Sequence, residues 1–582
     1  MVRRPDKIRV VTNSALWAAY ADALGFISEL TSESGLRHRL SGKPFDTTRP
    51  WKRKIGGAYG ATVDLPAGCY SDDTQLRLAT GRAIRGDGQF DVEAFAKIEL
   101  PVWLCYDLGA GPTTKTAAAS LANRSSNWFS NFFSKTSFKR QLKYTDGGGN
   151  GAAMRVQPHV WASRTLDRPE AFLLDVIRNS VCSHGHPRAI LGSVFHAMCL
   201  SHALQHGRLP RPDDWFQFVD YLNVVDDLVR SDRDLATFWL PAWERENKNS
   251  FSAVCKSTVQ EVLRDMDIAL EASEEKGAAG YDKAVIELDA LSARWRGTGT
   301  KTAVLAATLC WCFRDDSPHR AVLHATRLLG TDTDTIATLA GALFGATTDE
   351  EPPGHILDDG YIRGEAVRLA RISIGETVES FRYPDLLDWK APKSGLDCVG
   401  NVGGKAALAG LGFLDLSGRV YKGTGKFASV WEWATLDFGQ TVLCTRRSKL
   451  SQLSAVSIPG YLSGSESRPQ ARDEFVHKRP SYSRRDVESR RPDRKAKVFV
   501  EEVVDMFEER MTDSRSASAQ KREKLLIDRL ANEATASGFN PSVLGRHLRM
   551  LLDEDSPARL AMAYAEKISK AWQLRQQREK QY

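Results

Sequence analysis

Two short acidic clusters, each at the head of an apolar helical run, constrain this chain more than any other feature of its sequence. The first is Ser71-Asp72-Asp73-Thr74, followed by Leu76, Leu78, Ala79 and Ala83. The second is Asp332-Thr333-Asp334-Thr335, followed by Ile336, Leu339, Ala340, Leu343 and Phe344 at helical spacing. Asp, Ser and Thr are favoured at helix N-caps, and the helix dipole favours carboxylates there. Capping uses one carboxylate per helix, however, and each of these starts carries two with hydroxyls beside them. Four carboxylates that converge need charge compensation. Donors that are all oxygen suit Mg2+ or Mn2+ rather than zinc.

Three further segments carry chemistry. Glu29 follows Asp22-Ala23-Leu24-Gly25 so that Asp22 and Glu29 share one helical face; an ordinary solvated face would have the same spacing. Gly147-Gly148-Gly149-Asn150-Gly151-Ala152-Ala153-Met154-Arg155 is either a turn or a loop whose N–H groups approach phosphates closely. It is not a Walker loop, because no Gly-Lys-Ser/Thr follows. Ser183-His184-Gly185-His186-Pro187 offers two imidazoles to a metal or phosphate, or two plain loop histidines.

In this order the five segments resemble the ADP-ribosylglycohydrolase family, the group that includes dinitrogenase reductase-activating glycohydrolase. That family runs Gly-Asp-Ala-Leu-Gly-x-x-x-Glu, Thr/Ser-Asp-Asp-Thr, Gly-Asn-Gly-Ala-x-Met-Arg, a Ser/Thr-His motif, and Gly-Gly-Asp-Thr-Asp-Thr-Ile-Ala. The resemblance covers about residues 10–385. It implies an orthogonal, all-α helical bundle with a centre of two Mg2+ (or Mn2+). Ser71, Asp72 and Asp73 are then expected to serve one metal, and Asp332, Asp334 and Thr335 to complete the pair. Glu29 matches the family's glutamate beside the metals and, with Asp72 and Asp73, is a candidate catalytic base. Gly149, Asn150 and Gly151 match the loop that holds ADP-ribose, and His184 a contact on its phosphate side. Three positions depart from the pattern: Ala21 before Asp22, Thr331 before Asp332, and Gly148 where some relatives carry an aromatic residue.

The activity implied is metal-dependent hydrolysis that releases ADP-ribose from a modified protein side chain or nucleic acid. Two other classes compete. A module that binds ADP-ribose without cleaving it would have lost a metal ligand, and none is lost here. A regulator or antidote would use the basic C-terminal third to hold nucleic acid or a partner protein. Residues 391–582 hold 33 Lys and Arg against 24 Asp and Glu, a balance of +9, whereas residues 1–390 stand at −2. Any anionic partner therefore belongs to the C-terminal third.

Composition fits this picture. Apolar residues make up 42% and charged residues 26% of 582, which is ordinary for globular chains. The longest nearly apolar run, Ala303–Phe313, is roughly half of a membrane span. The start, Met1-Val2-Arg3-Arg4-Pro5, lacks a signal-peptide core. Nine cysteines without a Cys-x-x-Cys pair predict reduced thiols, a cytoplasmic protein and no zinc finger. The expected organisation is mainly α: a hydrolase-like domain over 1–390, a small β-rich module over 391–463, a basic linker over 464–498 and a C-terminal helical region over 499–582. Strands are predicted around Ser429–Trp433 and Thr441–Thr445, with turns at Gly425 and Gly439. Helix starts are predicted at Asn540-Pro541 and Ser556-Pro557. Between residues 128 and 143, Trp128, Phe129, Phe132, Phe133 and Phe138 interleave with Lys135, Lys139, Arg140 and Lys143. These either stack a base and hold phosphate or form an amphipathic helix packed into the core. Because all five motifs precede Pro392, a chain cut there is expected to fold.

Overall fold

The computed structural model describes residues 6–137, 140–424 and 429–460, together with 527, 530–531, 534, 541–552 and 560–570. Two compact units result, 1–467 and 468–582. The first is mainly helical, with a sheet module at its C-terminal end.

Helix α1 (Lys7–Ser28) begins where Asp6 accepts the Ile8 N–H, and from Val10 onward nearly every side chain is buried. A helix buried all round lies inside a body, not on its surface. It packs against α5 (Thr333–Gly345) and α6 (Asp359–Ser373), while α3 (Pro187–His206) packs on α4 (Gly299–Cys312). Helix α2 (Asp72–Ala83) is wholly buried. Glycines set the closeness of α1 and α5. A Cβ on Gly25 would lie 2.4 Å from the Thr333 carbonyl oxygen, and one on Gly345 would lie 2.4 Å from that of Asn13. This close packing brings the second acidic cluster against the end of α1.

A hairpin, β1 (Trp51–Ile55) with β2 (Ala61–Leu65), follows α1, and a second one, β3 (Ser134–Ser137) with β4 (Arg140–Lys143), precedes the glycine loop. The aromatic residues before β3 join the core. Trp128 and Phe133 are buried, Phe132 meets the Tyr144 ring at 4.8 Å and Phe129 stacks on Phe238 at 5.2 Å. The stacking-platform reading of this segment therefore gives way to packing, carried by a loop and a hairpin and not by the expected amphipathic helix; Phe138 and Lys139 lie outside the described residues.

The C-terminal sheet is formed by β5 (Val399–Val402), β6 (Lys405–Leu408), β7 (Gly412–Lys422), β8 (Val430–Leu436), β9 (Thr441–Arg446) and β10 (Ser451–Gln452). Its order is β10-β5-β6-β7-β8-β9, with β10 parallel to β5 and the other neighbours antiparallel. The predicted strands are β8 and β9, and Gly439 turns between them at φ +100°. Gly425 lies outside the described residues.

Sheet and helices share one core. Arg82 on α2 is buried with Glu99, which accepts from it at 2.8 and 2.9 Å, and it also donates to Gln440 Oε1 at 2.7 Å. Asp358 accepts from both the Tyr70 hydroxyl and the Thr441 N–H, each at 2.7 Å. The Thr445 N–H reaches the Cys105 carbonyl at 2.6 Å. Residue 390 thus separates element types within one packed body, and independent folding of a chain cut at Pro392 does not fit this packing.

In the second unit, a helix runs over Pro541–Leu552 and helical residues span 560–570. Ile527, Leu530, Leu551, Leu560 and Tyr564 form a small core there. The basic linker 464–498 and the Ser556-Pro557 start lie outside the described residues. Among the described residues, all nine cysteines are free and buried, and no helix is long and apolar enough to cross a membrane.

Candidate active site

Ser71 heads α2 in an extended conformation, and its hydroxyl accepts the Asp73 N–H at 3.2 Å. Beneath it lies Asp22 of α1, fully buried. Its carboxylate accepts from the Ser71 N–H at 3.0 Å, the Thr74 N–H at 2.9 Å and the Thr74 hydroxyl at 2.5 Å. Two helix-start donors are satisfied from another helix, so α2 is pinned by its N-terminus to α1. Asp72 and Asp73 are left free to face outward. Arg77, one turn on, donates to Thr74 Oγ1 at 2.6 Å and Thr338 Oγ1 at 2.9 Å, and its charge offsets Asp22 and Asp73.

The second cluster is held in the same way. Thr333 donates to the Gly25 carbonyl at 3.0 Å, and the Thr335 hydroxyl lies 3.5 Å from Asp73 Oδ1. The two clusters therefore meet. Between them opens a cavity of about 350 Å3 lined by Glu29, Asp72, Asp73, Asp332, Asp334 and Thr335 on one side. Gly149, Asn150, Gly151, His184 and Arg296 line it elsewhere. Among the residues expected at the site only Ser71 stays behind this wall, as the cap of α2. Asp22 and Glu29 do not share a face in the expected sense: Asp22 is a buried anchor, and Glu29 lies one residue past the helix at ψ 131°.

The glycine loop is tied to the second cluster. Asn150 donates from its side chain to Asp332 Oδ2 at 3.0 Å and from its backbone to the Gly297 carbonyl at 2.8 Å. Arg155, wholly buried, donates to the Gly151 carbonyl at 3.0 Å and the Ser183 hydroxyl at 2.7 Å. Ser183 in turn bonds His184 Nδ1 at 2.8 Å. A Cβ on Gly151 would come 2.7 Å from Thr114 Oγ1 and 2.9 Å from His184 Cε1, so only glycine fits against these groups. His186 does not enter the cavity; it caps α3 by accepting the Arg188 N–H at 3.1 Å.

Electrostatics mark the carboxylate side. Burial, then the neighbouring carboxylates, push Asp72, Asp73 and Asp334 well above the usual carboxylate range. Glu29 is also raised by burial, against the pull of Arg53. Asp73 Oδ2 is buried without any hydrogen-bond partner. Burial and the charge of Arg155 depress His184 to about 3, so it is neutral. Two sequence-distant residues complete the site, Arg53 paired with Glu29 and Arg296 in the wall. Neither belongs to a contiguous motif.

These residues fit divalent cations in one respect. An orphaned buried carboxylate oxygen and crowded anions call for more positive charge than the nearby arginines, Arg53 beside Glu29 and Arg77 beside Asp73 among them, bring to the carboxylates. Among the described residues no three carboxylate, imidazole or thiol groups close on one point. Mg2+ does not require that, since it keeps several waters and takes one or two carboxylates.

Residues 6–358 match the ADP-ribosylglycohydrolase family model. ADP-ribosylhydrolase ARH3 of Xenopus tropicalis is 24% identical over 292 residues, covering 48% of this chain and 74% of that protein. A solved structure of an ADP-ribosylglycohydrolase-related protein complex aligns with 63% of this chain and 99% of its own at 20% identity, with a TM-score of 0.38.

Proposed function

Because this chain belongs to the ADP-ribosylglycohydrolase family of glycosidic-bond hydrolases, we propose that it releases ADP-ribose from an ADP-ribosylated protein side chain or nucleic acid with the help of two bound Mg2+ or Mn2+ ions. The observation that carries this reading is the meeting of Glu29, Asp72, Asp73, Asp332 and Asp334 in one cavity that the glycine loop also lines.

The division of labour follows from the walls. Asp72, Asp73, Asp332, Asp334 and Thr335 would hold the cations, with Ser71 setting the start of α2 behind them. Cations held there would supply positive charge to the site and would lower the pKa of a water bound to them. The chain's residues do the remainder. Gly149 and Gly151 let the backbone come close to the diphosphate, and Arg296 brings the only guanidinium among the lining residues to it. Neutral His184 supports that side of the loop without adding charge. Glu29 is the base that takes a proton from the attacking water: the water oxygen bonds the anomeric carbon, the bond from that carbon to the acceptor breaks, and the acceptor leaves with the bonding pair and takes up the proton.

The carboxylate repulsion supplies a test that needs no substrate. Folded-state pKa values raised above the unfolded ones mean that ionised Asp72, Asp73 and Asp334 weigh against folding at neutral pH. A cation bound to the folded state relieves that load. Adding Mg2+ or Mn2+ to chelator-treated protein should raise the melting temperature, and Asp334→Asn should raise the metal-free value while shrinking the gain. No gain in the parent protein at millimolar metal would sink the two-metal reading.

A further inference from the structure

Glu29 does not stand alone at the cavity edge. Arg53 Nη1 donates to Glu29 Oε2 at 3.0 Å, both side chains are largely buried, and the guanidinium lies 4.5 Å over the Phe26 ring. Arg53 is therefore clamped between two residues of the same chain turn, a carboxylate and an aromatic face. Its own strand is β1, where Trp51, Arg53 and Ile55 alternate inward. Trp51 packs edge-on against Phe26 at 5.2 Å.

A two-stranded hairpin is marginal by itself. This one is braced by the C-terminal sheet. Asp64 on β2 accepts from the Tyr421 hydroxyl at 3.2 Å and pairs with Arg419, both on β7. Its carbonyl accepts from Trp433 Nε1 on β8 at 3.0 Å. At the turn, the Thr424 N–H reaches the Tyr59 carbonyl at 2.9 Å. Gly56, at φ +85°, lies so close to the Trp431 indole that a Cβ there would come within 2.5 Å of it. These sheet residues all lie beyond residue 358, where the family match ends.

We propose that Arg53 is a positioning residue for Glu29, and that the C-terminal sheet acts in the reaction by holding the hairpin that carries Arg53. This rests on the hydrolase reading and on Glu29 as its base. The sheet thereby gains a catalytic consequence without touching substrate: it limits where the Glu29 carboxylate can point.

The test uses the full chain and five variants: Arg53→Ala, Arg53→Lys, Trp433→Phe, Glu29→Gln and the double variant Glu29→Gln with Arg53→Ala. A misplaced general base costs roughly 10–100-fold in kcat. Arg53→Ala should lose that much with KM nearly unchanged, and Arg53→Lys should recover part of it. Trp433→Phe, which removes one bond to Asp64, should lower kcat a few-fold in the same direction; it keeps the proposal testable if Arg53→Ala fails to fold. In a Glu29→Gln background, Arg53→Ala should cause no further loss, because a residue acting through another does not add to its removal. Unchanged kcat in Arg53→Ala, or losses that multiply in the double variant, would overturn the proposal while leaving the hydrolase reading intact. A parent protein inactive on every ADP-ribosylated acceptor would overturn both.

Discussion

At the residue scale the site is a balance of buried charges whose signs differ. The carboxylates are pushed up, as described, while His159, His184 and His196 are each pushed down to about 3 by burial, with nearby arginine charge adding to it. A folded pKa below the unfolded value of about 6.5 means that the unfolded chain takes up a proton the native one refuses. Each imidazole therefore contributes stability that is complete above about 6.5 and is lost as pH falls toward 3. In the folded protein these rings should stay neutral at pH 5. Imidazole proton resonances, assigned by single His→Gln variants, should not shift between pH 8 and 5 for these three. A titration midpoint near 6.5 in any of them would contradict the burial described. The acidic motifs were legible in the sequence because their residues are contiguous and open apolar helices. Arg53 and Arg296 were not, because each reaches the site alone from an element without a motif. Asp22 was legible as a position but not as a role: only the fold turns it toward the α2 start.

At the element scale, the close contact of α1 and α5 decides whether the two acidic clusters can meet. Gly25 sits against Thr333 and Asp334, with its hypothetical Cβ 2.4–2.7 Å from three backbone atoms of those residues. Backbone cannot yield as a flexible side chain does, so Gly25→Ala must separate the helices. Overpacking of this kind costs about 1–3 kcal/mol. The variant should melt lower by an amount of that size and bind Mg2+ more weakly, as read by denaturant unfolding and calorimetry. Unchanged stability and unchanged cation affinity together would show that this contact does not set the cluster geometry. The long helices were readable from apolar spacing, since 3.6-residue periodicity is a local signal. The β1–β2 hairpin was missed, although Trp51, Arg53 and Ile55 alternate and Gly56-Gly57 punctuates the turn. Three consecutive basic residues, Lys52, Arg53 and Lys54, leave only Trp51 and Ile55 as apolar markers, too few for the alternation to signal a half-buried strand.

At the scale of the molecule, the sheet after residue 390 belongs to the body that carries the site. Composition changes there and had suggested a separable module, but a change of element type says nothing about where a core ends. A chain cut at Pro392 would lose Gln440 from buried Arg82, Thr441 from Asp358 and Thr445 from the Cys105 carbonyl. Each buried polar group left without a partner costs about 1–3 kcal/mol. The truncation should be insoluble or melt far below the full chain, whereas a cut at about residue 467, at the boundary between the two units, should keep a cooperative unfolding transition. Equal melting temperatures for the Pro392 truncation and the full chain would contradict the shared core.

The proposed activity joins two properties of one cavity: cleavage of the bond between ADP-ribose and an acceptor, and dependence on divalent cations. The direct measurement is release of free ADP-ribose from proteins modified on arginine or serine and from modified nucleic acid, by the full chain, in Mg2+ and in EDTA. Release is expected from at least one acceptor in Mg2+, with its loss in EDTA and its return when Mg2+ or Mn2+ is added back. Release that continues undiminished in EDTA, or none from any acceptor with metal present, would contradict the proposed activity.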